Sequence, residues 1–188
     1  MSELELIQRL LRKDPAAFKQ LVEEQKGRAY NTSLGIVQNA EEAEDIIQEV
    51  FIEVFESIGN FKGESKLSTW IYRITITKSL EAIRRRKRKK RFGFMTRLFQ
   101  NDPGAPEVDV PDFVHPGVLL ENKEKATLLF KAIGSLPENQ KIAFTLHRVE
   151  DLSYEEIARI MGVSLSSVES LMHRAKVNLR KKLISLLP

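Results

Sequence analysis

The sequence predicts an all-helical protein built as two small domains, and three observations carry that expectation. Apolar residues recur at three- and four-residue spacing almost throughout the chain, the signature of helices with one buried face. Alternating strand patterns are nearly absent. An acidic stretch rich in proline and glycine interrupts the helical pattern, which then resumes. At 188 residues, the chain holds one ordinary domain or two small ones, and not a large enzyme with separate cofactor and substrate lobes. Its 42% hydrophobic content argues against global disorder, and no apolar run approaches the roughly 18 residues that span a bilayer. Direct membrane insertion is therefore not expected. Zero cysteines exclude disulfide staples, thiolate zinc sites and a cysteine nucleophile, and fit a reducing compartment. The opening residues carry Glu3 and Glu5 and no basic segment ahead of an apolar run. A secretory leader is not expected, and the cytoplasm is the expected compartment.

In chain order, Asp14 followed by Pro15 reads as an N-cap with proline at the first helical position, opening a helix through Phe18, Leu21 and Val22. A second start lies between Asn39 and Glu44. From there Ile47, Val50, Phe51, Val54, Phe55 and Ile58 form one continuous core stripe, closed by Gly59. The polar, glycine-bearing segment from Phe61 to Ser68 reads as a loop before a helix that begins near Thr69. That helix carries Trp70, Ile71, Ile74 and Ile83 on an apolar side. Its β-branched stretch Ile74-Thr75-Ile76-Thr77 has mediocre helix propensity, yet Trp70, Ile74 and Lys78, with Glu81 and Arg85, continue at helical spacing. Beyond Phe99, Pro103, Gly104, Pro106, Pro111 and Pro116 with four acidic residues from Asp102 to Asp112 cannot continue a helix. Residues 93–118 are thus expected to link a domain at 1–92 to one at 119–188, extended where proline-rich at about 3.1 Å per residue. The second domain runs through Leu128, Leu129, Ile133 and Leu136 to a break at Pro137, then through Ile142, Phe144 and Leu146.

Near the C-terminus, Ser153-Tyr154-Glu155-Glu156 is a capping box opening a helix that ends at Gly162, and Ser164 offers a cap for a second helix from about Leu165 to Lys176. Ala158, Gly162, Val168 and Leu171 fall at relative positions 5, 9, 15 and 18 of a helix-turn-helix. A small residue lets the helices approach, glycine permits a left-handed turn, and two apolar residues bury the second helix on the first. That helix then presents Ser166, Ser167, Glu169, Ser170, His173 and Arg174 outward, types that bond bases or phosphates. Lys176, Arg180, Lys181 and Lys182 continue as backbone contacts.

The net charge of +4 conceals a strong asymmetry. Residues 1–50 hold 6 basic and 10 acidic side chains, 51–100 hold 13 and 4, 101–150 hold 5 and 8, and 151–188 hold 6 and 4. Eight of the basic residues form the unbroken run Arg84 to Arg91, with no acidic neighbour in sequence. Such a block repels itself unless a polyanion lies against it; the plainer alternative is a solvated helix end.

The words Asp45-Ile46-Ile47-Gln48-Glu49-Val50-Phe51, Phe61-Lys62-Gly63-Glu64-Ser65, Thr69-Trp70-Ile71-Tyr72-Arg73-Ile74, Leu136-Pro137, Leu152-Ser153-Tyr154-Glu155-Glu156-Ile157-Ala158 and His173-Arg174-Ala175 occur in that order. Together they resemble a bacterial sigma factor of the extracytoplasmic-function group, over roughly Asp14 to Leu183 apart from the linker. The resemblance implies a promoter-specificity subunit that binds core RNA polymerase through its β′ clamp helices and β flap, and that engages promoter DNA both as duplex and as melted single strand. It implies no cofactor, no metal and no catalysis, and it admits an anti-sigma factor as a further partner.

Site residues follow from the same resemblance. Asp45, Gln48, Glu49 and Ile52 lie on the face that would dock on the polymerase clamp, where an exposed isoleucine among charges suits a docking patch. Phe61, Ser65, Lys66, Thr69, Trp70, Arg73, Thr77, Lys78, Arg84 and Arg85 would melt and read the minus-ten element, which needs a base pocket beside basic and aromatic surface. Trp70 and Tyr72 are open to either stacking or core packing. Ser164, Ser166, Ser167, Glu169, Ser170, His173, Arg174 and Lys176 would read the minus-thirty-five element. The chain departs from the common family pattern at Thr77, Glu81, Glu169 and Leu171. Two other functions compete. An autonomous helix-turn-helix regulator would bind duplex DNA without polymerase. A nucleic-acid enzyme would need a metal or a base, but Asp45, Glu49 and Glu53 lie in a row without a nearby histidine, and His115, His147 and His173 lack ligand spacing.

Overall fold

The computed structural model describes the backbone of residues 2–100 and 123–186 and the side chains of 2–91 and 127–185. The described residues form helices and no strand: α1 (Glu3–Leu11), α2 (Pro15–Val37), α3 (Ala40–Ser57), a 3-10 turn (Ile58–Asn60), α4 (Leu67–Gln100), α5 (Lys123–Gly134), α6 (Glu138–Arg148), α7 (Tyr154–Met161) and α8 (Leu165–Leu186). The all-helical class is as the sequence predicts. Helix α4 continues to Gln100, inside the segment expected as linker, while linker residues 101–118, with the acidic stretch and His115, lie outside the described residues.

Local chemistry sets most boundaries. The Asp14 carboxylate accepts from Ala16 N–H at 2.9 Å, with Pro15 at the first helical position of α2. Asn39 accepts from Glu42 N–H at 2.7 Å to open α3. Ser153 and Glu156 form the full capping box of α7. Two features escape the sequence reading. Helix α1 was not expected, although Ser2 caps it at Glu5 N–H and Leu6 and Leu10 are buried at i, i+4 spacing. Helix α4 begins at Leu67, two residues before the expected Thr69, because Glu3 of α1 accepts from Leu67 N–H at 2.6 Å. That cap comes from 64 residues away, so no neighbouring residue announces it.

The α3 stripe is rotated slightly from its expected register. Ile46, Val50, Phe51, Val54 and Ile58 are buried, whereas Ile47 is half-buried and Phe55 is exposed. Phe55 is nonetheless engaged: its ring meets Phe18 edge-on at 5.1 Å and lies under the Lys13 ammonium at 4.2 Å. Helix α2 shows the main architectural surprise. Thr32, Ser33, Leu34, Gly35, Ile36 and Val37 are all buried, although a helix packed on one side buries only a stripe. One side of α2 meets α3 and α4, and another meets α6. The buried apolar residues of α1–α4 and those of α6–α8 consequently form one continuous cluster, with a smaller one around Ala132, Ile133, Leu136, Ala175 and Leu179 where α5 packs on α8.

Candidate functional site

Helix α3 presents Asp45, Gln48, Glu49 and Ile52 to solvent, as expected for a docking face. Ile52 is 58% exposed although its neighbours Phe51 and Val54 are buried. An apolar side chain set among carboxylates with nothing over it is the composition of an interface centre with a polar rim.

The loop from Phe61 to Lys66 and the first turns of α4 gather most of the residues expected at the minus-ten element. Phe61 and Trp70 are both half-buried, with ring centroids 5.4 Å apart, so Trp70 is partly core and partly surface. Ser65, Lys66, Thr69 and Tyr72 line a cavity of about 230 Å³. Arg73 and Thr77, one and two turns on, border a more open groove together with Ile76 and Leu80. Lys78 pairs with Glu53 at 3.5 Å, and Arg84 and Arg85 are exposed two turns farther along. The site so assembled offers a pocket, an aromatic pair and a graded run of cations on one helix, which are the parts that hold an unstacked base and track a backbone.

The basic run is less isolated in space than in sequence. Arg85 approaches Glu49 at 4.0 Å, Arg86 pairs with Glu42 at 2.9 Å and Lys87 with Glu138 at 3.1 Å. Arg86 also donates to the carbonyl of Val37 at 3.4 Å, placing a cation at the C-terminus of α2, where the helix dipole favours it. Arg86 therefore belongs to the fold, and the expectation that the run meets no acidic neighbour holds only along the sequence. Arg84, Arg88, Lys89, Lys90 and Arg91 are exposed and have no carboxylate of the described residues within ion-pair distance.

In the helix-turn-helix, Gly162 adopts φ 66°, the left-handed region that favours glycine at a helix end. Ser164 accepts from Ser167 N–H at 3.2 Å to cap α8. Val168 and Met172 are fully buried, and Leu171, expected as the second anchor, is only half-buried. The burial stripe falls one residue later than the motif position because α8 continues to Leu186 and must also bury Ala175 and Leu179 against α5. Ser166, Ser167, Glu169, Ser170, His173, Arg174 and Lys176 are exposed along one helix, while Ser164 is spent on the cap. Glu169 thus shares the open face with cations, and it is not turned into the core.

Between the two helical groups lies a buried contact that escaped the sequence reading, in which Tyr72 takes its core-packing alternative and Glu150 is its partner. Tyr72 is buried and donates to Glu150 Oε2 at 2.9 Å. The other oxygen, Glu150 Oε1, is buried without a hydrogen-bond partner. Burial pushes the Glu150 carboxyl above the usual range, against the opposing pull of the Tyr72 hydrogen bond, of Arg28 and of Asn31, and with a smaller push from Asp151. Burial next to this carboxylate likewise raises the Tyr72 phenol. No sequence signal marks Glu150, since its partners come from α2 and α4. A carboxyl raised in the folded state contributes most below its unfolded value of about 4.3, and that contribution fades as pH climbs through the raised folded value. The stability of the wild type relative to Glu150→Gln should accordingly grow as pH is lowered from 7 toward 4. Urea midpoints of both proteins across that range measure it, and a difference independent of pH would refute the assignment.

Among the described residues, no helix is long and apolar enough to cross a membrane, and no group of three or more His, Asp and Glu side chains is placed to hold a metal ion. Comparison with known proteins now bears on this geometry. Residues 21–89 match the family model of sigma-70 region 2, and residues 127–179 that of sigma-70 region 4. The RNA polymerase sigma-H factor of Pseudomonas aeruginosa is 32% identical over 187 residues, covering 97% of this chain and 94% of the relative. The ECF RNA polymerase sigma-E factor of Escherichia coli K12 is 28% identical over 175 residues, covering 91% and 88%. The ECF sigma factor SigW of Bacillus subtilis is 29% identical over 179 residues, with 94% of each chain covered. Among solved structures, CnrH bound to the cytosolic domain of CnrY shares the fold with a TM-score of 0.68 at 17% identity, covering 96% of both chains. RpoE of Bartonella quintana, solved with the anti-sigma factor NepR, gives 0.67 at 22% identity over 88% of this chain and 96% of that one. With both region models matched in order and relatives aligned almost end to end, the chain belongs to the sigma-70 family of RNA polymerase sigma factors, within its extracytoplasmic-function (ECF) group.

Proposed function

We propose that this sigma factor docks on core RNA polymerase through the exposed side of α3, at Asp45, Gln48, Glu49 and Ile52. It reads and melts the minus-ten element with the 61–66 loop and α4, and it reads the minus-thirty-five element with the open face of α8. As a sigma factor it confers promoter specificity and makes or breaks no bond. Residues 1–92 serve polymerase and the minus-ten element and 119–188 the minus-thirty-five element, and 93–118 join them, with residues 93–100 continuing α4. The working compartment is the cytoplasm, where its polymerase is, and the promoter set belongs to a stress or envelope response. The observation that supports the assignment of surfaces most directly is the segregation on α3, which buries Ile46, Val50 and Val54 while leaving Ile52 more than half exposed among carboxylates.

Adding the protein to core polymerase should give specific initiation on a cognate promoter. A tight footprint on duplex DNA by the protein alone would favour an autonomous regulator instead. Within the minus-ten set, the double charge reversal Arg84→Glu and Arg85→Glu should weaken open-complex formation. It should also flatten the dependence of log affinity on log salt by about 0.7 for each lost single-strand phosphate contact. Both residues are exposed, and the Arg85 pair with Glu49 is long at 4.0 Å, so the fold should be untouched. An unaltered slope would leave the two arginines in solvent.

A further inference from the structure

We infer that Glu3 is a positioning residue for the minus-ten element: through it α1 fixes both stems of the 61–66 loop, so that the loop meets an unstacked base already in its binding shape. The inference rests on the promoter reading above. It adds a residue that lies ahead of the segment matched by the region 2 model, which begins at residue 21.

The start of α4 needs a partner from outside the loop. Its first helical hydrogen bond runs from Trp70 N–H to the carbonyl of Lys66 at 3.3 Å, which makes Lys66 the N-cap. A lysine side chain only donates, so it satisfies none of the free amides of the first turn, and its charge opposes the helix dipole there. Ser65 Oγ faces the carbonyl of Lys66 at 3.4 Å and not an amide. The acceptor that the loop lacks comes from Glu3, whose carboxylate takes the Leu67 N–H at 2.6 Å.

The helix that carries Glu3 is itself anchored. Leu6 and Leu10 bury α1 in the main apolar cluster. Beyond its end, Lys13 donates to the carbonyl of Phe55 and lies over that ring, while Arg9 pairs with the Asp14 carboxylate that caps α2. Helix α1 also packs against the 3-10 turn Ile58–Asn60, and Ile58 and Leu67 are both buried. That turn leads into Phe61 and Leu67 follows Lys66, so one helix holds the chain on either side of the loop. Between these stems residues 61–66 form neither helix nor strand, and they turn at Gly63, whose φ is 72°.

Fixing the stems matters because of what stands on them. Phe61 and Ser65 lie in the loop and Thr69 and Trp70 in the first turn of α4, with the two rings 5.4 Å apart. A constellation held to about 0.5 Å by supporting contacts binds without first ordering itself. Without Glu3 the first turn of α4 frays, and the two halves of the site move relative to each other. The sign of the effect separates this role from simple electrostatics. A carboxylate that only repelled phosphate would, on removal, strengthen binding to every sequence; a cap predicts a loss, confined to the minus-ten element.

The test compares Glu3→Ala with Glu3→Gln in holoenzyme formed with core polymerase. The probes are a promoter fragment that the wild type opens and the same fragment with its minus-ten bases substituted one at a time. The Ala variant should lose about fivefold in its preference for the cognate minus-ten element, equivalent to about 1 kcal/mol and the size of a lost N-cap. Glu3→Gln keeps an amide oxygen that can accept from Leu67, so it should discriminate like the wild type. Affinity for core polymerase and the salt dependence of promoter binding should stay unchanged in both, because the α3 face and the phosphate contacts are untouched. Trp70 is the sole tryptophan, and its fluorescence in the free protein should become more open to acrylamide quenching in Glu3→Ala but not in Glu3→Gln. Unaltered discrimination in Glu3→Ala would overturn the inference. An equal loss in Glu3→Gln would do the same, as would a loss of core affinity as large as that of discrimination. If Phe61→Ala and Ser65→Ala in the loop also left discrimination unaltered, the minus-ten reading itself would fall, and this inference with it.

Discussion

Replacing Asp45, Gln48 and Ile52 together with alanine should weaken binding to core polymerase by roughly ten- to hundredfold, which corresponds to about 1.4–2.8 kcal/mol. Ile52 supplies most of that. Its side chain is 58% exposed in the free protein, and covering that remaining part of an aliphatic side chain contributes about 1–2 kcal/mol. Interface energy usually concentrates in such a central, desolvated anchor. Asp45 and Gln48 act at the rim, where a carboxylate steers a basic partner and contributes less, and their share should shrink as salt rises. The same exposure predicts that the fold survives. Exposed positions of this kind usually change stability within about 0.5 kcal/mol, so far-ultraviolet circular dichroism and the urea midpoint should match the wild type. Titration of labelled protein with core polymerase measures the affinity. A loss smaller than threefold in a protein of normal stability would remove this face from the polymerase contact.

The parts of this protein that sequence reveals are those whose cause is local. The caps at Asp14, Asn39 and Ser153 sit within three residues of the amides they satisfy, and Gly162 stands at the turn that needs it. Hence the helix-turn-helix and most helix starts are legible. The exposed faces of α3 and α8 follow from the same periodicity that buries their opposite sides. What escapes is whatever a distant segment causes. Glu3 caps α4 across 64 residues, and nothing near them in sequence marks Thr32, Ser33 and Gly35 as buried, with Ser33 against Ser79 of α4 and Gly35 against Thr145 of α6. Arg73 and Tyr72 carry the composition of a nucleic-acid surface, which cannot reveal that α7 and Glu150 already hold them. The acidic partners of the basic run lie on α3 and α6 for the same reason. A linker without periodic pattern transmits no information about how the helices on either side of it meet.

Ile157→Ala should destabilise the protein by about 2–5 kcal/mol, the range for deleting a large aliphatic side chain from a packed core. Ile157 has no exposed surface and is one of only two buried residues on the eight-residue α7, the other being Ile160. A helix so short cannot hold itself together in water, so its position depends on these two anchors and on the capping box. Loss of Ile157 leaves a void in the apolar cluster that it shares with Val168 and Met172, fully buried residues of α8. Two readouts should then move together. The urea midpoint should fall, and the affinity of the polymerase-bound protein for a promoter duplex carrying the minus-thirty-five element should weaken, because Ser166, Ser167, Ser170 and Arg174 keep their identity but lose the platform that aligns them. Docking through α3 should persist wherever the N-terminal helices remain folded, since Asp45, Gln48 and Ile52 lie on a helix whose core contacts are Ile46, Val50 and Val54. A destabilisation below about 1 kcal/mol would mean that neighbouring side chains collapse into the void. In that case α7 would be held by its caps and by Arg73 more than by its core.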